Sequence, residues 1–251
     1  MLKSSLQPAV LALDTSTEQM SIAVQHGAQV WTWEGPGGAQ SSAHLIPAIE
    51  GLMAQAQLRY TDLACIAFGQ GPGSFTGLRT ACSVAQGLGF AAGVPLLPVD
   101  SLMATAQAAL PAHDATRVAL TPWRVLALLD ARMDEVYAAA FTRTPGIDGH
   151  GVWHADAEAV LCKPEALALE FTSPVDAICG NALAAYGARL PWPELPRWPS
   201  LPTAQAMLSL VPALLAQGLA VPAEAAMPRY IRNKVAQTTA EREALKRPQG
   251  A

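Results

Sequence analysis

Two distant segments of this 251-residue chain share one pattern: an aliphatic strand that ends in an aspartate, a polar turn and a second strand. The first consists of residues 10–14 and 20–24, and the second of residues 125–130 and 135–140. Apolar or alternating runs of this length are typical of strands paired in a sheet. The repetition predicts a duplicated, two-lobed architecture, although two aliphatic strands can also resemble each other by chance.

The order of elements around the first repeat predicts a mixed sheet. Three strands with short turns come first and form an antiparallel meander. A helix near residues 45–56, a strand at 63–68, a helix at 78–91, a strand at 95–99 and a helix at 100–109 follow. This βββαβαβα order indicates the α/β class, with helices connecting the later strands.

The prolines suggest where the lobes divide. We expect a boundary at residues 111–122, with a first lobe at 1–112, a second lobe at 113–227 and a C-terminal segment and tail at 228–251. The Pro- and Trp-rich stretch 191–202 is expected to lack regular structure, because proline cannot donate a backbone hydrogen bond.

Composition excludes several classes of protein. A formal charge of −4 argues against a chain that grips nucleic acid alone, but not against a subunit of a larger assembly. No signal peptide is evident, and the most apolar window, residues 84–98, is too short and too interrupted by Gly and Pro to span a bilayer. The four cysteines are scattered singly, which favours buried thiols over a disulfide framework or a zinc ribbon. We therefore expect a cytoplasmic protein without membrane contact.

A glycine-rich loop links the strand at 63–68 to the helix that follows. Ser74 or Thr76 can cap that helix. The loop can be a structural corner, a docking surface or, less favoured, a phosphate site, because it lacks the GK[ST] ending of a P-loop. Arg79 could meet an anion or lie exposed. The loop residues singled out are Gly71, Pro72, Gly73, Ser74, Thr76, Gly77 and Arg79.

Several motifs together resemble the TsaB (YeaZ) family of tRNA threonylcarbamoyladenosine (t6A) biosynthesis proteins. They are LDTS at 13–16, SAHLIP at 42–47, GQGPGSFTGLR at 69–79, LDARMDEVY at 129–137 and YIRN at 230–233. The resemblance covers nearly the whole chain. It implies the two-lobed fold of actin, Hsp70 and the sugar kinases, which is ribonuclease H-like, with a mixed sheet in each lobe.

The resemblance also implies a role without chemistry. TsaB-like proteins pair with the TsaD transferase through helices of the N-terminal lobe, and the TsaE ATPase joins that pair. The modification lies at position 37 of tRNA, which we expect this chain to meet only through the complex. A homodimer is possible when TsaD is absent, and no cofactor is expected.

The histidines argue against a catalytic metal site. TsaD-type subunits hold a metal with two histidines spaced i, i+4 on a helix, whereas here Ala48 stands four residues after His44. A lone imidazole cannot build a zinc or iron site. His150 and His154 have the spacing, but neighbouring glycines break any helix, so we expect a solvent-exposed turn and no metal.

The resemblance implies that Asp14, Thr15 and Ser16 lie where kinases and ATPases of this fold bind magnesium and phosphate. A carboxylate at a strand end can orient a metal-bound water. The turn lacks the glycine that admits a phosphate, so we expect either an aspartate that caps its own turn or a degenerate nucleotide pocket.

Two helices are the predicted partner interface. One face of the helix at 78–91 carries only small side chains, which would let another helix approach closely. The helix at 45–56 has more large apolar positions than one core-facing stripe needs; the alternative is that both are ordinary core helices. The proposed interface residues are His44, Leu45, Ile49, Leu52, Met53, Thr80, Ser83 and Gly87.

Charged residues near the second repeat and the C-terminus leave two interpretations each. The acidic and basic side chains of residues 130–135 can line an inter-lobe cleft or form a salt-bridged turn. The basic residues of the C-terminal segment can touch tRNA phosphates or belong to a solvated tail. They are Arg229, Arg232, Lys234, Lys246 and Arg247.

The leading hypothesis from the sequence is thus a non-catalytic partner that activates TsaD. An ATP-dependent phosphotransferase of the same fold would need a working Asp14 site. A metallopeptidase would need paired histidine ligands.

Overall fold

The two aspartate-ended strands are the central strands of two separate sheets. A computed structural model describes residues 8–110, 121–145 and 151–232. The strands are β1 Val10–Asp14, β2 Gln19–His26, β3 Gln29–Pro36, β4 Cys65–Gly71, β5 Leu96–Asp100, β6 Trp123–Asp130, β7 Val136–Thr144, β8 Val152–Ala155, β9 Val160–Cys162, β10 Ala177–Cys179 and β11 Arg197–Trp198. The helices are α1 Ser41–Gln55, α2 Phe75–Ala92, α3 Ser101–Ala109, α4 Leu167–Glu170, α5 Ala182–Tyr186 and α6 Ala204–Ala216.

The first sheet has the strand order β3-β2-β1-β4-β5. β1 pairs with β2 and β2 with β3 in antiparallel fashion, which confirms the predicted meander, and β4 and β5 run parallel to β1. Every residue of β1 is buried. The strand therefore shows a continuous apolar run rather than alternation, as expected for a strand covered on both faces.

The second sheet repeats this arrangement. Its order is β11-β10-β6-β7-β8, and β9 also pairs with β7. Read from the opposite edge this is the order of the first sheet: β6, β7 and β8 take the places of β1, β2 and β3, and β10 and β11 those of β4 and β5. β6 and β7 are antiparallel, whereas β10 and β11 are parallel to β6. The duplicated architecture predicted from the aspartate-ended strands is confirmed.

The expectation that residues 191–202 contain no regular structure is wrong, because β11 lies within them. This strand of two residues pairs with β10 at the edge of the sheet. The carbonyl oxygens of Pro196 and Trp198 accept hydrogen bonds of 3.0 and 3.1 Å from the amides of Ile178 and Gly180. Proline is tolerated here because it has only to accept, not to donate.

Helices separate and cover the two sheets. α3 packs on β6 and β7, while α6 packs on β1 and β2, so both helices lie between the sheets. Their side chains and the facing sides of both sheets form one buried apolar cluster. α1 and α2 cover the outer face of the first sheet, and α4 and α5 cover that of the second. We call the first sheet with α1–α3 the first lobe, and the second sheet with α4 and α5 the second lobe.

The expected division after residue 112 falls in 111–120, outside the described residues, and remains a prediction. Pro47 lies within α1, in its second turn. In the described parts of the chain, no helix combines the length and the hydropathy that crossing a membrane requires.

Candidate functional site

The carboxylate of Asp14 is enclosed by its own turn. The amide and hydroxyl of Ser16 donate to its Oδ1 at 2.8 and 2.7 Å, and the hydroxyl of Ser101 donates to Oδ2 at 3.3 Å. A Cβ at Gly69 would overlap Oδ2, so the backbone of β4 packs directly on the carboxylate. Asp14 is fully buried, and the loss of water raises its pKa from 3.8 to about 6.

The glycine loop packs against that turn. Ser74 is the N-cap of α2, as the sequence allowed, and its amide donates to the carbonyl oxygen of Ser16 at 2.7 Å. A Cβ at Gly73 would lie 2.5 Å from the same carbonyl oxygen, and a Cβ at Gly77 would overlap that of Thr15. Both positions therefore require glycine for the loop to approach the turn.

A cavity of about 410 Å³ lies between the lobes where these turns meet. The first lobe contributes the turn 16–18 and the loop 73–75, and the second lobe contributes residues 129–133, Tyr137 and Asn181. Residues 229–232 close the remaining side. Of the predicted nucleotide-pocket residues, only Ser16 lines this cavity, whereas Asp14 and Thr15 lie behind it.

The turn between β6 and β7 is both cavity wall and salt-bridged turn. Asp130 accepts hydrogen bonds from the Arg132 amide at 2.8 Å and the Tyr186 hydroxyl at 2.9 Å, and its Oδ2 lies 3.1 Å from the Arg132 guanidinium. Asp134 pairs with Arg189, which lowers the pKa of that carboxyl. Arg132, Met133 and Asp134 have φ values of 59°, 56° and 65°, three consecutive left-handed residues without a glycine.

The basic C-terminal residues have local partners where they are described. The Arg229 guanidinium lies 3.1 Å from the Asp100 carboxylate, and that of Arg232 lies 2.6 Å from Glu135. Neither is a free phosphate ligand. Lys234, Lys246 and Arg247 lie outside the described residues.

The large apolar residues predicted for a partner interface are core residues. Leu45, Ile49, Leu52 and Met53 are at most 3% exposed and pack on the first sheet. Their side chains cannot reach a partner while α1 stays in place, so this part of the proposed interface is corrected to the residues around them. On this surface His44, Ser83 and Gly87 are exposed, and Thr80 is half-buried.

A shallow groove of about 430 Å³ runs between α1 and α2. Its floor and sides include Ser42, Thr76, Thr80 and Ser83. At one end the Arg79 guanidinium lies 3.6 Å from the centroid of the Phe75 ring, a cation–π contact. We call the exposed surface of these helices, including the groove, the α1–α2 face.

The histidines stand apart in the described residues. His44 is exposed on α1, and His154 lies on β8 with its ring nitrogen 3.4 Å from the hydroxyl of Thr144. His154 is thus in a strand rather than in the expected turn, and His150 lies outside the described residues. Within 8–110, 121–145 and 151–232, no three His, Cys, Asp or Glu residues are grouped as metal ligands.

The sequence did not reveal the residues that connect the lobes. Asn181 accepts from the Asp130 amide at 2.9 Å and donates to Glu18 of the first lobe at 3.3 Å. Nothing in the sequence around Tyr230 indicates a contact with α2, but its hydroxyl accepts a hydrogen bond of 2.9 Å from Arg79. The YIRN run at 230–233 contains Tyr230 and Arg232, but the run itself indicates neither of their contact partners.

The paired sheets, the cavity between them and the turns that face it define a two-lobed α/β protein of the actin, Hsp70 and sugar-kinase class. Residues 37–189 match the family model "TsaD: tRNA N6-adenosine threonylcarbamoyltransferase". Two relatives are named "tRNA threonylcarbamoyladenosine biosynthesis protein TsaB". The one from Escherichia coli (strain K12) is 32% identical over 90% of this chain and 96% of its own. The one from Haemophilus influenzae is 32% identical over 90% and 94%.

Solved structures agree with these relatives. YeaZ from Pseudomonas aeruginosa is 33% identical, covers 89% of this chain and all of its own, and superposes with a TM-score of 0.74. A second structure is described as an uncharacterized protein with similarity to peptidase YEAZ from Pseudomonas aeruginosa. It is 33% identical, covers 90% of this chain and all of its own, and has a TM-score of 0.76. The chain belongs to the TsaB (YeaZ) family.

Proposed function

We propose that this chain is a non-catalytic subunit of t6A synthesis at position 37 of tRNA. It binds and activates a TsaD-type transferase, and a TsaE-type ATPase acts with that pair. The observation that carries the proposal is the exposed α1–α2 face, whose helices pack on the outer side of the first sheet and present small side chains around a groove.

The small residues of α2 suit a helix as partner. Nothing lies within 4 Å of a Cβ built at Gly87, and Ser83 is exposed one turn earlier on the same side. Short side chains allow two helices to pack at close interaxial distance. Phe90 is 80% exposed and Ile46 is 47% exposed, so this face presents apolar surface that a partner could bury.

The enclosure of Asp14 supports a role without phosphoryl transfer. In a kinase of this fold, the corresponding carboxylate must reach a metal-bound water or phosphate. Here both carboxylate oxygens are occupied by hydroxyl and amide donors, and the backbone of Gly69 covers one of them. Opening this site would require moving β4 or the turn.

A peptidase activity, suggested by the description of one relative, would need an activated nucleophile or a metal-bound water. Burial raises the pKa of Cys65 to about 11 and that of Cys179 to about 12, which disfavours the reactive thiolate. His44 and His154 lie on different lobes. These features favour the partner role over the peptidase role.

The same α1–α2 face can pair with a second copy of this chain when the transferase is absent. A pairing of α2 with its own copy would be isologous, since the small residues of one copy would meet those of the other. The homodimer and the contact with the TsaE-type ATPase are both part of this proposal.

Reconstitution tests the function directly. A TsaD-type transferase, a TsaE-type ATPase, unmodified tRNA and a threonylcarbamoyl donor are incubated with and without this chain. We expect t6A to form only when the chain is present, while the chain alone turns over no ATP. Modification at full rate without the chain, or ATP hydrolysis by the chain alone, would refute the proposal.

Charge at Ser83 locates the interface in the same assay. Ser83→Glu should fold normally, because the position is exposed, and should lose t6A formation. A charge at Leu52 is not informative, since this side chain is 3% exposed and its replacement would unfold the first lobe.

A further inference from the structure

Residues 226–232, which we call the C-terminal strap, cross from the first lobe to the second along the edge of the inter-lobe cavity. We propose that the strap is a clamp whose two ends are energetically coupled: its contacts on α2 and its contacts on the β6–β7 turn form and break together. The strap thereby ties the α1–α2 face to the shape of the cavity.

The first end of the strap is fixed to the first lobe by hydrogen bonds of its backbone and by an ion pair. The carbonyl oxygen of Ala226 accepts from the Gln86 side chain at 2.9 Å, and the amide of Arg229 donates to the carbonyl oxygen of Gln70 at 2.8 Å. The Arg229 guanidinium reaches Asp100, the N-cap of α3, at 3.1 Å. These bonds attach the strap to β4, α2 and α3.

The middle of the strap meets the α1–α2 face. The rings of Tyr230 and Phe75 lie 5.3 Å apart, and Arg79 donates to the Tyr230 hydroxyl at 2.9 Å. Phe75 borders both the cavity and the groove between α1 and α2. A displacement of Phe75 or Arg79 in the groove therefore directly alters the contacts of Tyr230.

The second end of the strap holds the turn between β6 and β7. Arg232 donates to Glu135 at 2.6 Å, to the carbonyl oxygen of Arg132 at 3.3 Å and to the sulfur of Met133 at 3.1 Å. Its side chain is only 14% exposed, so water competes little for these bonds.

The turn that Arg232 holds has an unfavourable backbone. Three consecutive residues without glycine occupy the left-handed region, a conformation that L-residues adopt only when their surroundings enforce it. The nearby inter-lobe bond from Asn181 to Glu18 is longer, at 3.3 Å, and exposed. Arg232 thus links this turn to the strap, while Asp130 with Arg132 and Asp134 with Arg189 hold the turn from within the second lobe. Without Arg232 the turn loses its tie to the strap and opens more often.

Amide hydrogen exchange on the isolated full-length chain tests the coupling. The reporters are the amides of Ala131 and Glu135, which bond across the turn at 3.0 and 3.2 Å, and the amide of Arg229. In Arg232→Gln we expect exchange at all three to be about tenfold faster, because a charge-assisted hydrogen bond is lost. In Tyr230→Ala, a change made on the first lobe, we expect the same two turn amides to exchange faster.

The control is Arg59→Gln, which removes an exposed ion pair to Asp62 elsewhere in the first lobe and should leave all three reporters unchanged. If Arg232→Gln proves unstable, Glu135→Gln breaks the same contact with a smaller change. Turn amides that keep their wild-type rates in Tyr230→Ala would overturn the coupling. The measurement uses no partner, so its failure leaves the proposed function untouched.

Discussion

The hydroxyl of Thr15 donates a hydrogen bond of 2.6 Å to the carbonyl oxygen of Gly77, and both residues are buried. This bond joins the turn after β1 to the first turn of α2, across 62 positions of sequence. Together with the close approach of Gly73 and Gly77 to the same turn, it fixes where α2 begins and hence the direction of the α1–α2 face. In this structure the glycine loop serves packing between backbone segments.

Gly77→Ala should therefore destabilise the protein. Its Cβ would overlap the carbonyl oxygen of Thr15, so either the turn or α2 must move. We expect a loss of about 2–3 kcal/mol in the free energy of unfolding, as for overpacking in a core. Denaturant unfolding measured by circular dichroism gives this value.

Gly87→Ala is the matched control on the same helix. A Cβ there meets nothing within 4 Å, and alanine favours a helix over glycine, so stability should rise by about 0.5–1 kcal/mol. Equal effects of the two substitutions would contradict the packing role assigned to Gly77.

Asp14 should make stability depend on pH in an unusual direction. The pKa of Asp14 is about 6 in the folded state, above the ordinary aspartate pKa of 3.8 that applies in the unfolded chain. The folded protein therefore binds this proton more tightly than the unfolded chain does. The contribution of Asp14 is therefore fully present below pH 3.8 and is lost as the pH rises through about 6. The asparagine of Asp14→Asn is similar in shape to a protonated aspartate and is uncharged at every pH. Relative to the wild type, the free energy of unfolding of this variant should therefore rise by up to about 3 kcal/mol between pH 4 and 7.5.

The quantity to measure is the difference in unfolding free energy between Asp14→Asn and the wild type, since other ionisations cancel in it. Asp62→Asn is the control with the opposite sign. Its exposed carboxyl pairs with Arg59, which lowers its pKa, so its contribution is present at neutral pH and lost on acidification. A flat difference for Asp14→Asn across this range would show that the carboxylate is not enclosed as described.

Thiol reactivity should report the burial of the cysteines. At pH 8 the raised pKa values of Cys65 and Cys179 leave almost no thiolate, and both are buried. We expect the folded Cys162→Ser variant, which lacks the more accessible thiol, to react with a thiol-specific disulfide reagent about a hundred times more slowly than after unfolding. Rapid reaction of the folded variant with one or more equivalents would contradict this.

The local elements were largely predictable from the sequence. The limits of β1 and the meander follow from its buried apolar run and the polar turn after it, and Ser74 was among the two capping candidates. The repeated aspartate-ended strand predicted the second sheet, because a strand at the equivalent central position again shows a mostly buried apolar run. These features depend on neighbouring residues, which a sequence displays.

The long-range contacts were not predictable in this way. Arg229 and Asp100 are 129 positions apart, and nothing in the residues around either one indicates the other. The pattern of Leu45, Ile49 and Leu52 also could not separate core from interface, since an apolar stripe looks the same against its own sheet and against a partner. Burial decides this, and it places all three in the core.

The most direct test of the account is the affinity of this chain for a purified TsaD-type transferase, measured by titration calorimetry. We expect the wild type and Leu169→Glu, a charge placed at an 80% exposed position on the second lobe, to bind equally well. Ser83→Glu, with an unchanged melting temperature, should bind at least about a hundredfold more weakly, because the partner would bury an unpaired carboxylate. Equal affinity of all three proteins would contradict a partner role for the α1–α2 face.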